Sequence, residues 1–190
     1  MNKTKLKTLI ASLLKSIGPI PKVKLAKLVL FAEMEHFFMA GESYTGLYFV
    51  RLRKGPVVAF FDDVLEEGEE DIWSKETSYI PIYEAGKEKV QYSYSLLKEI
   101  DIPAELQETI KILISKYSKK SGTELSMLSH SLPAWKYSEP NEPIYIAELA
   151  ADTDEKYFSL IDLIEDIDED DDGLLSEEIS RYIPTTEGNI

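Results

Sequence analysis

The segment from Lys22 to Ala40 most constrains the fold, because its side chains are apolar around most of a helical wheel. On an ideal α-helix its polar side chains occupy only a narrow face, formed by Lys24, Lys27 and Glu35. A helix with so little polar surface must be covered by other elements. The sequence therefore predicts that this helix is the centre of the fold and not a peripheral element.

Glu33 is the exception within this helix. It projects about 180° from Lys24, into the apolar side. A carboxylate in that position needs a partner or takes up a proton. His36 follows three residues later on the same face. Two interpretations stay open: a buried polar group satisfied by its neighbour or by nearby backbone, or a reactive site.

The remaining elements predict an α+β domain that is predominantly helical and contains a small antiparallel sheet or hairpin. An amphipathic helix precedes Gly18, and a strand is expected from Thr45 to Leu52. A second helix is expected to begin at Pro56, and alternating apolar residues at 78–96 predict a β-hairpin whose tyrosines pack on the core. Further helices follow Pro103 and the capping-box sequence at 121–124, and residues 144–146 are expected to be extended.

The turn before the predicted helix at Pro56 carries the only dense basic cluster of the domain. Arg51, Arg53 and Lys54 precede Gly55 and Pro56. Free amide groups at the start of a helix bind anions, so an anion site is one interpretation. The other is ordinary punctuation between a strand and a helix.

The overall charge and the residue types exclude several functions. The chain has 21 basic and 35 acidic residues, a net charge of −14, which argues against a duplex nucleic-acid partner. Two interpretations of the acidity stay open: it complements a basic protein partner, or it simply maintains solubility. It contains no cysteine, which excludes disulfides, thiol catalysis and cysteine-ligated metals. No segment approaches the roughly 20 apolar residues of a membrane span, so the protein is expected to be cytoplasmic.

No catalytic or metal motif accompanies the two histidines, His36 and His130. The sequence lacks H-E-x-x-H, G-x-S-x-G and a P-loop. The prediction is therefore a protein that is not an enzyme and needs no cofactor. The alternative is a small phage-associated enzyme that uses Glu33, His36 or His130 in a shared cleft.

The acidic C-terminal segment divides the chain into a domain at 1–150 and a helical extension at 151–190. Asp168, Asp170 and Asp172 fit the first positions of a calcium loop, but Ile179 stands where the bidentate glutamate is needed. Two interpretations remain, a weak calcium site in a calcium-binding scaffold or an acidic solvated linker. A helix over 154–167 is expected to pack on the domain or on a partner.

Three blocks of the sequence resemble the Panacea antitoxin domain, also called SocA-like and found in phage-associated GepA-like proteins. They are VKLAKLVLFAEMEHFF, RLRKGPVVAFFDDVL and LSMLSHSLPAWKYS, in the family's order and spacing over about residues 5–150. Lys54 replaces the aromatic residue that the family has before Gly-Pro, and Tyr-Phe-Val-Arg-Leu replaces its Glu-Ala-Trp. The chain thus resembles a divergent member.

The resemblance implies an antitoxin that neutralises a cognate protein toxin by direct binding, and some relatives are thought to deliver the toxin to a protease. It implies no enzymatic activity. The residues that match the family motifs are Gly55, Pro56, Val57, His130 and Trp135. For His130 and Trp135 the physical expectation is structural: an imidazole stacked near an indole would fix the turn at 133.

Overall fold

The computed structural model of the chain describes residues 2–82 and 87–151. Its helices are α1 (Asn2–Ile17), α2 (Lys22–Ala40), α3 (Phe61–Gly68), α4 (Ala104–Tyr117), α5 (Gly122–His130), α6 (Pro133–Tyr137) and α7 (Ile146–Ala151). Its strands are β1 (Ile20–Pro21), β2 (Phe49–Leu52), β3 (Gly55–Val58), β4 (Trp73–Ile82), β5 (Lys87–Leu96) and β6 (Pro143–Ile144). They form two antiparallel three-stranded sheets, in the orders β1-β5-β4 and β3-β2-β6. The predicted helix-rich α+β class is confirmed.

Helix α2 lies at the centre of the fold, as predicted. Every residue from Leu25 to His36 is buried, and α1, α4, α5, α7 and the sheets pack around it. The polar face of α2 does not face the solvent, because Lys27 and Glu35 are also buried. Glu35 instead accepts hydrogen bonds from Lys116 Nζ at 2.8 Å and from the Tyr117 hydroxyl at 3.3 Å, which ties α2 to α4.

Helical periodicity located the other long helices correctly. The spaced leucines and isoleucines of α1 are buried, and so are Leu106, Ile110, Leu113 and Tyr117 of α4. Helix α5 begins at the predicted capping box, in which Ser121 and Glu124 satisfy each other's backbone amides. It ends at His130, so Leu132 precedes α6 and is not part of α5.

The predicted helix at Pro56 is wrong, because Gly55–Val58 is a strand. It pairs with β2 in a tight hairpin whose two turn residues are Arg53 and Lys54. Val57 and Val58 are β-branched and favour a strand over a helix start. Helix α3 begins only at Phe61. An anion site at a helix N-terminus beginning at Pro56 is therefore excluded.

Strand β2 is also shorter than predicted and begins at Phe49, not at Thr45. The reason is that the backbone amides of Tyr44 and Thr45 donate hydrogen bonds to the Glu33 side chain and are not used in a sheet. The segment expected to be extended at 144–146 is divided: Ile144 ends β6, and α7 begins at Ile146.

The β4–β5 hairpin is confirmed and is longer than predicted, since it begins at Trp73. Residues 83–86 of its predicted turn lie outside the described residues. The buried strand β1 pairs with β5 only at the base, opposite Ser93 and Tyr94. Tyr94 packs on the core, but Tyr79 and Tyr92 are 63% and 36% exposed, so the prediction that the tyrosines pack on the core holds only at the base.

Two further predictions concern membrane insertion and the C-terminal segment. Within residues 2–82 and 87–151, no helix has the length and apolar character needed to cross a membrane. The predicted helix at 154–167, the acidic linker and the calcium candidates Asp168, Asp170 and Asp172 lie outside the described residues.

Candidate functional site

The three motif blocks of the sequence meet at Gly55. Lys27 reaches it from α2, and Ser129 and His130 reach it from α5. A Cβ built on Gly55 would lie 2.5 Å from Lys27 Nζ, closer still to Ser129 Oγ, and 3.2 Å from His130 Cδ2. Gly55 also has a φ of +92°, which L side chains rarely adopt. Only glycine fits this position, and we name the cluster of Lys27, Gly55, Pro56, Ser129 and His130 the Gly55 junction.

Lys27 is the buried cation of the junction. Its residue surface is 1% exposed, and its Nζ donates a hydrogen bond to the carbonyl oxygen of Pro56 at 3.0 Å. Burial disfavours the charged form and lowers the pKa of Lys27 from 10.5 to about 7. No carboxylate within the described residues forms a salt bridge with it. The junction therefore holds a lysine whose charged form is disfavoured by its surroundings.

His130 stacks on Trp135, with ring centroids 4.2 Å apart and an interplanar angle of 16°. Its Nε2 is buried and has no hydrogen-bond partner in the described part of the chain. Burial and the positive charges of Lys27 and Arg51 lower the pKa of His130 to about 4, against the opposing effect of a hydrogen bond to the Lys54 backbone. The imidazole is consequently neutral at pH 7.

Trp135 fastens α6 to the β2–β3 hairpin. Its indole Nε1 donates to the carbonyl oxygen of Leu52 at 3.0 Å, while Arg51 Nε donates to the carbonyl oxygen of Trp135 at 2.9 Å. The Arg51 guanidinium also lies 5.0 Å from the indole ring centre. Pro56 and Val57 pair with Arg51 and Val50 across the hairpin. All five family-motif residues thus belong to one packed region.

Glu33 binds the loop that follows α2. Its Oε2 accepts hydrogen bonds from Ser43 Oγ at 2.6 Å and from the Tyr44 amide at 3.0 Å, and its Oε1 accepts one from the Thr45 amide at 3.0 Å. The side chain is fully buried. Of the two interpretations left open by the sequence, this geometry matches the carboxylate that is satisfied by nearby backbone.

His36 does not pair with Glu33. Its Nδ1 lies 3.2 Å from Thr109 Oγ1 on α4, and its ring meets Tyr44 edge-on at 5.5 Å. The enzyme alternative required Glu33, His36 and His130 to share a cleft. The structure gives each a different set of partners, and neither the groove of about 440 Å³ nor that of about 210 Å³ on the described surface is lined by any of the three.

We expect Glu33→Gln to lower the free energy of unfolding by about 2–4 kcal/mol. An amide offers one acceptor oxygen where the carboxylate offers two, and its NH₂ group would face a backbone N–H, while hydrogen bonds to charged groups are worth about 1.5–3 kcal/mol each. Denaturant unfolding measures the loss. Glu42→Gln, at an exposed position two residues before Tyr44, is the control and should change stability by less than about 0.5 kcal/mol. Equal effects of the two changes would contradict the role given to Glu33.

Sequence reasoning did not identify Ser129, or Lys27 as a junction residue. The signal for Lys27 in the sequence was the small number of polar residues on the helical wheel of α2. A helix covered on all sides buries its few polar side chains too, so Lys27 had to find an internal acceptor. Ser129 carried no such signal, because its proximity to Gly55 depends on how α5 packs across the hairpin.

The described residues contain no cluster of three or more histidine, aspartate or glutamate side chains arranged to hold a metal ion. The motif residues instead hold α2, α5, α6 and one hairpin together. The domain is helix-rich with small sheets, and its motif residues make internal contacts between its elements.

A family model identifies the domain. The model described as "Antitoxin SocA-like, Panacea domain" matches residues 25–136, which is more than half of the 190-residue chain. The protein belongs to the SocA-like Panacea antitoxin family. No curated protein and no solved structure gives a significant match.

Proposed function

We propose that the protein is an antitoxin that binds a cognate protein toxin directly and neutralises it by covering the toxin's working surface. The observation that carries the proposal is the family match over residues 25–136, which covers the second block and nearly all of the first and third, the three that meet at the Gly55 junction. We place this activity in the cytoplasm, in a domain of residues 1–150 with an acidic extension at 151–190. The partner is a protein and not a nucleic acid or a membrane.

The internal contacts of the polar residues support a binding role without chemistry. Glu33 accepts three hydrogen bonds, Lys27 is held by the Pro56 carbonyl, and His130 is stacked on Trp135. These contacts fix the shape of the surface. In this proposal Gly55, Pro56, Val57, His130 and Trp135 act by positioning elements, and no cofactor takes part.

We propose the outer part of the β4–β5 hairpin as the toxin-binding surface. Every residue from Lys75 to Ile80 is exposed, and Tyr79 pairs with Val90 across the two strands. Tyr79 is 63% and Val90 45% exposed, and Tyr92 follows on the same face. Exposed aromatic side chains of this kind are enriched in protein interfaces.

Co-expression with the product of the adjacent gene tests the function. We expect the pair to co-purify and the antitoxin to restore growth. Tyr79→Ser combined with Val90→Ser should weaken the complex by about 30-fold, the loss typical of interface hot spots. Tyr145→Ser, at a position 59% exposed outside the hairpin, is the matched control and should leave affinity unchanged. Failure of the unsubstituted chain to bind or to rescue would refute the antitoxin function. Equal binding by all variants would refute only the proposed surface.

The family resemblance also carries a second mode of action, in which the antitoxin delivers the toxin to a protease. The two modes differ in the fate of the toxin. Occlusion leaves the toxin's lifetime in the cell unchanged or longer, whereas an adaptor shortens it. A pulse-chase measurement of the toxin with and without the antitoxin distinguishes them, and we expect occlusion.

A further inference from the structure

The negative charge of the protein is concentrated in the segment after Ala151. Residues 152–190 hold 14 of the 35 acidic residues and 2 of the 21 basic ones, a net charge of −12. Residues 1–151 are left with a net charge of only −2. Residues 168–172 are the densest part, with five consecutive carboxylates.

The basic turn of the β2–β3 hairpin has no acidic partner in the described structure. We name Arg51, Arg53 and Lys54 the basic tip. Eight lysines elsewhere form salt bridges, but no carboxylate among the side chains that the structure describes lies within salt-bridge distance of the basic tip. Arg53 and Lys54 are exposed. The charges of the basic tip therefore remain available to a carboxylate from elsewhere.

The lining of one groove includes both the last described residue and residues of α6. The groove has a volume of about 440 Å³, and its lining includes Ala151, Pro133, Ala134, Tyr137 and Ile144. Helix α6 also contains Trp135, whose ring centre lies 5.0 Å from the Arg51 guanidinium. Ala151 therefore borders a groove shared with the helix that contacts the basic tip.

Two glutamates also line the groove, and their carboxylates are engaged locally. Glu142 accepts a hydrogen bond from the Glu139 amide and Glu148 one from the Tyr145 amide, each at 2.6 Å. Their negative charge makes the groove unfavourable for the acidic residues 168–172. The groove is better suited to the apolar residues that precede them. Residues 157–164 supply Tyr157, Phe158, Leu160, Ile161, Leu163 and Ile164.

We propose that the segment after Ala151 folds back along the α6–α7 groove and that residues 168–172 bind the basic tip. The apolar residues at 157–164 occupy the groove, and the carboxylates pair with Arg51, Arg53 and Lys54. The seventeen residue steps from Ala151 to Asp168 would span about 25 Å as a helix, at 1.5 Å per residue, which exceeds the radius of gyration of about 15 Å for a domain of this size. This inference does not depend on the proposed toxin.

The test uses the absence of cysteine from the chain, which allows a single spin label on the full-length protein. Ser176→Cys places the label four residues after the acidic run. In the presence of EDTA, we expect the amide signals of residues 51–54 and 134–137 to broaden beyond detection. In 1 M NaCl the Debye length falls to about 3 Å, and the signals of residues 51–54 should return.

Charge reversal locates the contact. Arg53→Glu with Lys54→Glu should abolish the broadening at the basic tip. Lys89→Glu with Lys119→Glu makes the same change in net charge at exposed positions elsewhere and should leave it intact. Exchanging the aspartates at 168, 170, 171 and 172 for asparagine changes no residue of the described fold. This exchange should also abolish the broadening at the basic tip.

Three results would overturn the proposal. The first is an absence of broadening at residues 51–54. The second is broadening that survives both charge changes. The third is broadening seen only when spin-labelled and isotope-labelled chains are mixed, which would assign the contact to a second copy of the chain.

Discussion

Gly55→Ala is expected to lower the free energy of unfolding by about 2–5 kcal/mol. A left-handed backbone costs a residue with a Cβ about 1–2 kcal/mol. Here the new methyl group would also overlap Lys27 Nζ and Ser129 Oγ, and overpacking of a closed site costs about 1–3 kcal/mol more. Because domains are stable by only about 5–15 kcal/mol, the loss is a large fraction of the total. Denaturant unfolding at pH 7 measures it.

Gly18 provides a matched control for the Gly55 substitution. Its φ of +94° is nearly that of Gly55, but nothing lies within 4 Å of where its Cβ would be. Gly18→Ala should therefore show the backbone cost alone, about 1–2 kcal/mol. Adding Ser129→Ala to Gly55→Ala removes the nearest atom and should recover part of the difference. Equal losses for the two glycines, with no recovery, would show that the junction is not closely packed around Gly55.

The parts of the fold that the sequence predicted correctly are those governed by local periodicity. Helices α1 and α4 repeat apolar residues at steps of three and four, α2 is apolar around most of its wheel, and such patterns depend on neighbours in sequence. The capping box before α5 is likewise complete within four residues. In each case the physical signal lies inside the element.

The failures occurred where a contact with another segment decided the local structure. Residues 55–58 contain a proline that suits a helix start, yet they form a strand because they pair with β2 across a two-residue turn. Thr45 has the β-branched side chain of a strand residue, but its amide is bound by Glu33. In both cases the partner lies outside the segment itself, in β2 or on α2.

The sequence predicts which residues belong to the candidate site but not how they are arranged in space. The family motifs supply Gly55, Pro56, Val57, His130 and Trp135, which the fold brings into one region. The motifs do not show why glycine is needed at position 55. That reason is the approach of Lys27 and Ser129 from two other elements, and it appears only in three dimensions.

Lys27 is expected to make stability rise between pH 7 and pH 9. Its pKa is about 7 in the folded protein and close to 10.5 in the unfolded chain, so the unfolded chain binds more protons in this range. Stability therefore increases with pH, by about 2 kcal/mol over these two pH units, and is lost again as the pH falls to 7. The range from pH 7 to pH 9 separates the effect of Lys27 from those of His130 and Tyr94. The His130 pKa of about 4 and its ordinary value of 6.5 confine its effect to lower pH, and the raised pKa of Tyr94, about 12, confines its effect to higher pH.

Lys27→Met should remove this rise, because methionine fills similar space without a titrating group. At pH 9 the two proteins should differ little, because the loss of the donor to the Pro56 carbonyl costs about 1–3 kcal/mol while the unsubstituted protein still bears about 2 kcal/mol for keeping Lys27 neutral below its unfolded pKa. At pH 7 the variant should be the more stable of the two, because that cost to the unsubstituted protein is then larger by about 2 kcal/mol. Unfolding free energies at pH 7, 8 and 9 test this, with Lys119→Met, at an exposed position, as the control that keeps the full rise. A rise of the same size in the Lys27 variant would mean that Lys27 is solvated in solution, and the junction would then have to be open to water.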